Sequence, residues 1–195
     1  MNTVVTSRKA LLDAAKDVVQ NQGFDHLNIR RLAASCNVSV GCIYTYFSTK
    51  ADLVAAIVED FWKGAFHGID WPQPGAMAFE DFFAVLYLRF KAYLEIFSSD
   101  WLGKLGQLDG NEYRKCIETQ ALYFSHITKG LLHVLEQDDS IPQEKWTKTF
   151  TPEQFSQFVF DNMISMLRRK EQDCGFFTEV LRSLLHGERK TGENT

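Results

Sequence analysis

The stretch from Asn28 to Lys50, NIRRLAASCNVSVGCIYTYFSTK, constrains this chain more than any other, because it holds two helical patterns too short to stand alone and a tight reversal between them. In the first, Ile29, Leu32 and Ala33 recur at i, i+3, i+4, and Asn28 precedes them as an N-cap able to accept an orphan backbone N–H. Asn37 then supplies a residue that tolerates the left-handed conformation. Val38 fills the angle, and Ser39 is the next N-cap. Advancing by 100° per residue from there puts Ile43 and Phe47 on one side, Gly41, Cys42, Thr45 and Tyr46 on the other, and Tyr44 on the flank. A helix of this length persists only if neighbours hold its buried side, so its outer side is a presented surface.

That surface, small at Gly41 and able to hydrogen-bond at Thr45 and Tyr46, suits the major groove of DNA, where a helix-turn-helix inserts its second helix. The run Gly23-Phe24, Ile29-Arg30-Arg31-Leu32-Ala33, Val38-Ser39-Val40-Gly41, Ile43-Tyr44, Tyr46-Phe47, Ser48, Lys50, Leu53 resembles the N-terminal domain of the tetracycline-repressor (TetR) family of transcriptional regulators. The resemblance covers about a quarter of the chain closely. Asn37 stands where the family usually has Gly, Cys42 where Thr is common and Tyr46 where His is frequent; the last two alter the groove-facing surface and so bear on which operator is read. The resemblance implies that Asn28, Arg30, Ser39, Val40, Gly41, Cys42, Tyr44, Thr45, Tyr46 and Lys50 form the DNA-binding surface, with Thr45 and Tyr46 reading bases and Lys50 touching phosphate.

With 195 residues the chain can bury one such module and one larger domain. The net charge of −4 looks wrong for a DNA binder until it is divided. Residues 1–50 hold six basic residues (Arg8, Lys9, Lys16, Arg30, Arg31, Lys50) and three acidic ones (Asp13, Asp17, Asp25), a surplus of +3, which leaves −7 for the remainder. A basic head on an acidic body orients the approach to a polyanion. The division expected is therefore residues 1–50 for DNA and 51–195 for ligand binding and dimerisation.

The four cysteines, Cys36, Cys42, Cys116 and Cys174, form no C-x-x-C pair, so neither a disulfide framework nor a zinc knuckle is indicated. Cys42 is read as a small contact residue rather than a redox sensor. The start has no charged segment leading into a sustained apolar one, and no stretch reaches about 18 uninterrupted apolar residues, so a cytoplasmic protein without membrane partners is expected.

Four prolines and apolar residues at helical spacing point to an all-α chain of about nine helices: a three-helix helix-turn-helix domain followed by a helical ligand-binding and dimerisation domain. Ser7 to Gln22 forms the first helix, with Leu11, Ala15, Val18 and Val19 inward and Gly23 ending it. Thr49 or Ser48 caps a connecting helix whose buried stripe is Leu53, Ile57 and Phe61. The Trp71 to Pro74 run interrupts. An aromatic segment follows from Phe79 to Trp101, then a Gly-rich connector from Gly103 to Gly110. A long helix over 112–137 comes next, with Ile117, Ala121, Phe124, Thr128, Leu131 and Leu135 along one side.

The aromatic segment and the long helix supply candidates for an effector pocket: Phe83, Tyr87, Phe90, Tyr93, Phe97, Tyr123, Phe124 and His126. His126 and His133 share a face, but no third metal ligand accompanies them and no cofactor is expected. Thr151-Pro152-Glu153-Gln154 is a capping box with Pro at N1, opening a helix with Phe155, Phe158, Val159, Met163 and Met166 on one stripe and Phe160, Ile164 and Leu167 on another. A final helix carries Phe176, Phe177, Val180, Leu181, Leu184 and Leu185, and the tail from Glu188 to Thr195 reads as frayed. Two terminal helices apolar on more than one side suit a homodimeric four-helix bundle, with Phe158, Met163, Phe177, Leu181 and Leu184 at the interface. A hairpin buried within a monomer is the alternative.

Together these readings describe a regulator, by resemblance a repressor, that is released from a pseudo-palindromic double-stranded operator by a small apolar or aromatic effector. Its rivals are an enzyme, for which no nucleophile-base pair or phosphate-cradling Gly loop is present, and the same fold acting as an activator or protein-binding partner without small-molecule induction.

Overall fold

The computed structural model describes residues 6–97 and 108–187, with the side chains of residues 96 and 97 outside the description. Trp101, most of the Gly103–Gly110 connector and the tail from Glu188 therefore lie outside it. Among the described residues there are eight α-helices: α1 (Arg8–Gln22), α2 (Ile29–Ser35), α3 (Val40–Tyr46), α4 (Lys50–Phe66), α5 (Phe79–Phe97), α6 (Gly110–Glu136), α7 (Pro152–Arg168) and α8 (Gly175–His186). One isolated bridge between Thr147 and Phe150 is the β-type pairing there, so the chain is all α.

The helices divide into two compact units. The first takes residues 1–67 and 96–123, the second residues 68–95 and 124–195. The first unit thus reaches past residue 50, where the DNA-binding part was expected to end, because α4 lies against α1 and ties Asp60 to Lys16.

In the first unit the caps form as the residue types dictate. Ser7 Oγ accepts from the Ala10 amide at 3.1 Å, Asn28 Oδ1 from Arg30 at 2.9 Å, Ser39 Oγ from Cys42 at 3.1 Å, and Thr49 Oγ1 from Asp52 at 3.1 Å. Such caps are each worth about 1 kcal/mol. Asn37 takes φ 53°, the left-handed value that the turn requires. Leu11, Ala15, Ile43, Phe47, Leu53, Ile57 and Phe61 form the core beneath these helices, each at most 2% exposed. Full burial of the Leu, Ile and Phe side chains contributes about 1.5–3 kcal/mol apiece, and with the buried Ile29 and Leu32 of α2 and Ile43 of α3 this is what keeps the seven-residue α2 and α3 helical.

The second unit is built around aromatic rings. Phe79, Phe83, Tyr87 and Phe90 of α5 are buried, and Phe83 meets Phe177 of α8 at 5.2 Å between ring centroids. The Tyr87 hydroxyl donates to the Glu171 carbonyl at 2.8 Å, and burial pushes its pKa up to about 12. The first turn of α5 is completed from afar, since the Phe79 amide donates to Oδ2 of the buried Asp138 at 2.8 Å. After α7, Lys170 adopts φ 59° and closes the turn, with the Glu171 amide bonded to the Met166 carbonyl at 3.1 Å. The Thr151 and Gln154 capping box forms as expected.

The long helix departs from the expected stripe. Ile117 and Ala121 are exposed, whereas Glu112 and Cys116 are buried in its first unit portion and Ile127, Leu131, Val134 and Leu135 in its second. The stripe drawn through Ile117 treated the helix as having one inner face throughout, but its two portions belong to different units.

Candidate nucleic-acid interface

Helix α3 turns Ile43 inward and presents the rest. Val40, Tyr44 and Tyr46 are 36%, 45% and 38% exposed, and Gly41 and Thr45 are exposed between them. Cys42 is half-buried at the edge of this face. Val40, Tyr44 and Tyr46 lie together on the outer side of a helix that α2 packs against, which makes this side a presented surface.

The polar groups on this face are not equally available. Thr45 Oγ1 donates back to the Gly41 carbonyl at 3.0 Å, which orients the hydroxyl and leaves its acceptor capacity outward. Tyr46 donates its hydroxyl to the Thr6 carbonyl at 3.0 Å, so its single proton is already used to hold the start of α1. The Arg8 guanidinium lies 4.9 Å above the Phe47 ring, a second tie between the same two places. Neither contact was read from the sequence, since forty residues separate Thr6 from its partner and no motif links them.

Asn28 and Ser39 spend their side-chain oxygens on capping, so they position α2 and α3. Arg30 is exposed at the start of α2. Lys50, expected at phosphate, has its Nζ 3.1 Å from Oε1 of Glu112. Glu112 could have been noticed as an acid placed four residues from Cys116 on what becomes a buried face, where burial and the Glu112 charge push the thiol pKa up to about 12.

The effector-pocket residues do not form one group. Phe83, Tyr87 and Phe90 are sealed into the second unit, and Phe124 meets Phe160 edge-on there at 4.8 Å. Tyr93 is half-buried in that unit, and the Phe97 side chain lies outside the described residues. Tyr123 belongs to the first unit, where it stacks at 5.9 Å on Phe66. His126, expected at a pocket wall, falls on the exposed side of α6, next to buried Ile127. An open cleft of about 460 Å³ occurs elsewhere, at the junction of α7 and α8, walled by Met166, Phe176 and Phe177 with Arg169 and Glu171.

Of the residues assigned to a dimer interface, Met163 and Leu181 are fully buried within the chain itself and Phe177 is 8% exposed. They serve the protomer's own core, and for Phe177 the Phe83 ring of α5 is one of the groups that cover it. Phe158 at 43%, Leu184 at 40% and the unassigned Phe176 at 84% are the apolar side chains on α7 and α8 that face outward.

Comparison with known proteins matches residues 11–57 to a family model described as bacterial regulatory proteins of the tetR family. No curated protein matches the chain. Among solved structures, BioQ with its double-stranded DNA operator is 14% identical with a TM-score of 0.62, covering 94% of this chain and 100% of that one. FadR from Bacillus subtilis, solved with stearoyl-CoA, is 16% identical with a TM-score of 0.63, over 94% and 100% of the two chains. The multidrug binding protein EbrR, complexed with imidazole, is 17% identical at a TM-score of 0.57, over 95% and 98%. Among the described residues no helix is long and apolar enough to cross a membrane. The matched segment ends inside α4 and spans the whole of the presented helix, so over residues 11–57 the chain is similar to bacterial regulatory proteins of the tetR family, and over nearly its full length it shares the fold of these solved structures.

Proposed function

We propose that the protein is a cytoplasmic homodimeric repressor that reads a pseudo-palindromic operator through residues 1–50 and is released by a small, mostly apolar or aromatic effector bound by residues 51–195. The observation that carries this reading is the exposed face of α3, where Val40, Gly41, Tyr44, Thr45 and Tyr46 stand clear of the core while Ile43 anchors the helix. A surface of this size reads few base pairs, and two copies spaced about 34–36 Å apart supply the missing contacts. The outward Phe158, Phe176 and Leu184 on the last two helices support self-association.

Support for an effector comes from the aromatic interior of the second unit and from the relatives solved with stearoyl-CoA and imidazole. An effector acts only by binding one spacing of the two heads better than the other, and operator DNA must then weaken effector binding by the same factor. The test is a gel shift with DNA from upstream of the protein's own gene. Retardation at sub-micromolar protein, relieved by a fatty acyl or planar aromatic compound, is the expected result. Absence of retardation overturns the DNA-binding half, and retardation that no such compound relieves, or an effector that binds equally with and without operator, overturns the effector half.

A further inference from the structure

In the first unit the opening turns of α4 and α6 meet, and each carries an acid where the helix dipole favours one: Asp52 in α4 and Glu112 in α6. Each acid is paired with a lysine of the other helix. Lys115 Nζ donates to Asp52 Oδ1, and Lys50 Nζ stands 3.1 Å from Glu112 Oε1. The two bridges differ in their exposure. The side chains of Asp52 and Lys115 are 33% and 34% exposed, whereas Glu112 is 8% exposed against 38% for Lys50. A carboxylate so far removed from water depends on its cation, and among the described residues the cation paired with it is Lys50.

Lys50 has a second possible partner. It is the first residue of α4 and follows Phe47, the residue that ends α3, by three positions, so it sits at the margin of the presented surface with more than a third of its side chain in water. An ammonium there reaches toward whatever anion α3 docks against, and a lysine binds carboxylate or phosphate as a point charge without a preferred fork geometry. We propose that Glu112 acts as an internal substitute for a DNA phosphate, an autoinhibitory contact that must surrender Lys50 before the head engages DNA fully. The proposal rests on the DNA-binding reading above. It makes the head's affinity depend on where the first turn of α6 stands, and it sets the resting affinity below what the head's own charges would give.

The experiment is fluorescence anisotropy with a labelled mixed-sequence duplex at low salt, where phosphate contacts dominate binding. Glu112→Gln keeps the size and hydrogen-bonding capacity of the side chain, and Glu118→Gln, at an exposed position of the same helix, makes the same change in net charge. Glu112→Gln is expected to bind about three- to tenfold more tightly than Glu118→Gln, in line with a partly buried ion pair removed from competition. Lys50→Gln should weaken binding less than twofold, and the doubly neutral Lys50→Gln/Glu112→Gln protein, which leaves no buried charge unpartnered, should bind like Lys50→Gln. The proposal is overturned if Glu112→Gln binds no better than Glu118→Gln, if its gain survives in the Lys50→Gln background, or if it binds more weakly while circular dichroism and melting match wild type. Failure of wild type and every variant to bind the duplex would instead overturn the DNA-binding reading itself.

Discussion

Trp71 lies so close to Gly130 that a Cβ added to the glycine would fall 2.1 Å from the indole ring. Gly130 is in the middle of α6, where replacing Gly by Ala normally stabilises a helix by about 1 kcal/mol. Here the methyl would have to displace a ring that also packs on Phe82 at 5.5 Å, and with it the Pro-containing segment that Trp71 anchors. Gly130→Ala is therefore expected to lower stability by about 1–3 kcal/mol in urea unfolding. It should also red-shift the tryptophan fluorescence as the indole is pushed toward water. A stabilised Gly130→Ala protein would mean that the Trp71 contact is dispensable.

On α3 the two polar residues should behave differently when changed. Thr45→Ala removes an outward acceptor and is expected to cost about 1–3 kcal/mol of binding to the cognate operator with little effect on random DNA. Tyr46→Phe removes the bond to the Thr6 carbonyl and loosens the start of α1 on α3. Its loss, about 0.5–1.5 kcal/mol, should fall nearly equally on cognate and random duplexes. A change in base preference for Tyr46→Phe, measured on operators altered one pair at a time, would assign the hydroxyl to base reading after all.

Asp52 links stability to pH. Hydrogen bonding from Lys115, then from Thr49, holds its carboxyl below the ordinary carboxylate value. Because the folded state favours the ionised form, the stabilisation is fully present above the unfolded pKa of about 4 and is lost as pH falls through the lower folded value. The stability gap between wild type and Asp52→Asn should accordingly be constant from neutral pH down to about 5 and shrink below about 4. A gap independent of pH across that window would show that the Asp52 contribution is packing and capping rather than charge.

Phe176 and Leu184 provide the test of self-association. Charged substitutions at these outward positions should give a helical monomer with weakened operator binding, because neither side chain is needed for the protomer's core. Sedimentation velocity distinguishes the outcomes. Charged substitutions at Leu181, by contrast, should unfold the second unit, since that side chain is fully buried within the chain.

Most of the head was legible in the sequence because its signals are local: caps at Ser7, Asn28, Ser39 and Thr49 act on amides two or three residues away, and Asn37 sets its own turn. The partners of Lys50 and Tyr46 were not legible, since Glu112 and Thr6 are distant in sequence and their residue types alone do not name a partner. The same limit explains the interface residues. Helical spacing identified α7 and α8 as apolar on several sides, but spacing does not say which side the rest of the chain will cover, and Met163 and Leu181 are buried while Phe158 and Leu184 stay outside. Tyr123 and Phe124 are neighbours in sequence and still fall in different units, which no periodicity within α6 announces.

The two units are interleaved along the chain, and this bears on how the protein is made. A ribosome delivers residues in order, yet the first unit is complete only when residues 96–123 have followed the whole of 68–95, and those earlier residues belong to the other unit. Helix α5 must wait longer still, because the carboxylate that caps it arrives 59 residues after Phe79. Its buried aromatic face, Phe79, Phe83, Tyr87 and Phe90, is thus synthesised well before the segments that cover it. The interval between these events is when the nascent chain exposes its most adhesive surface and when a holding chaperone has the most to gain.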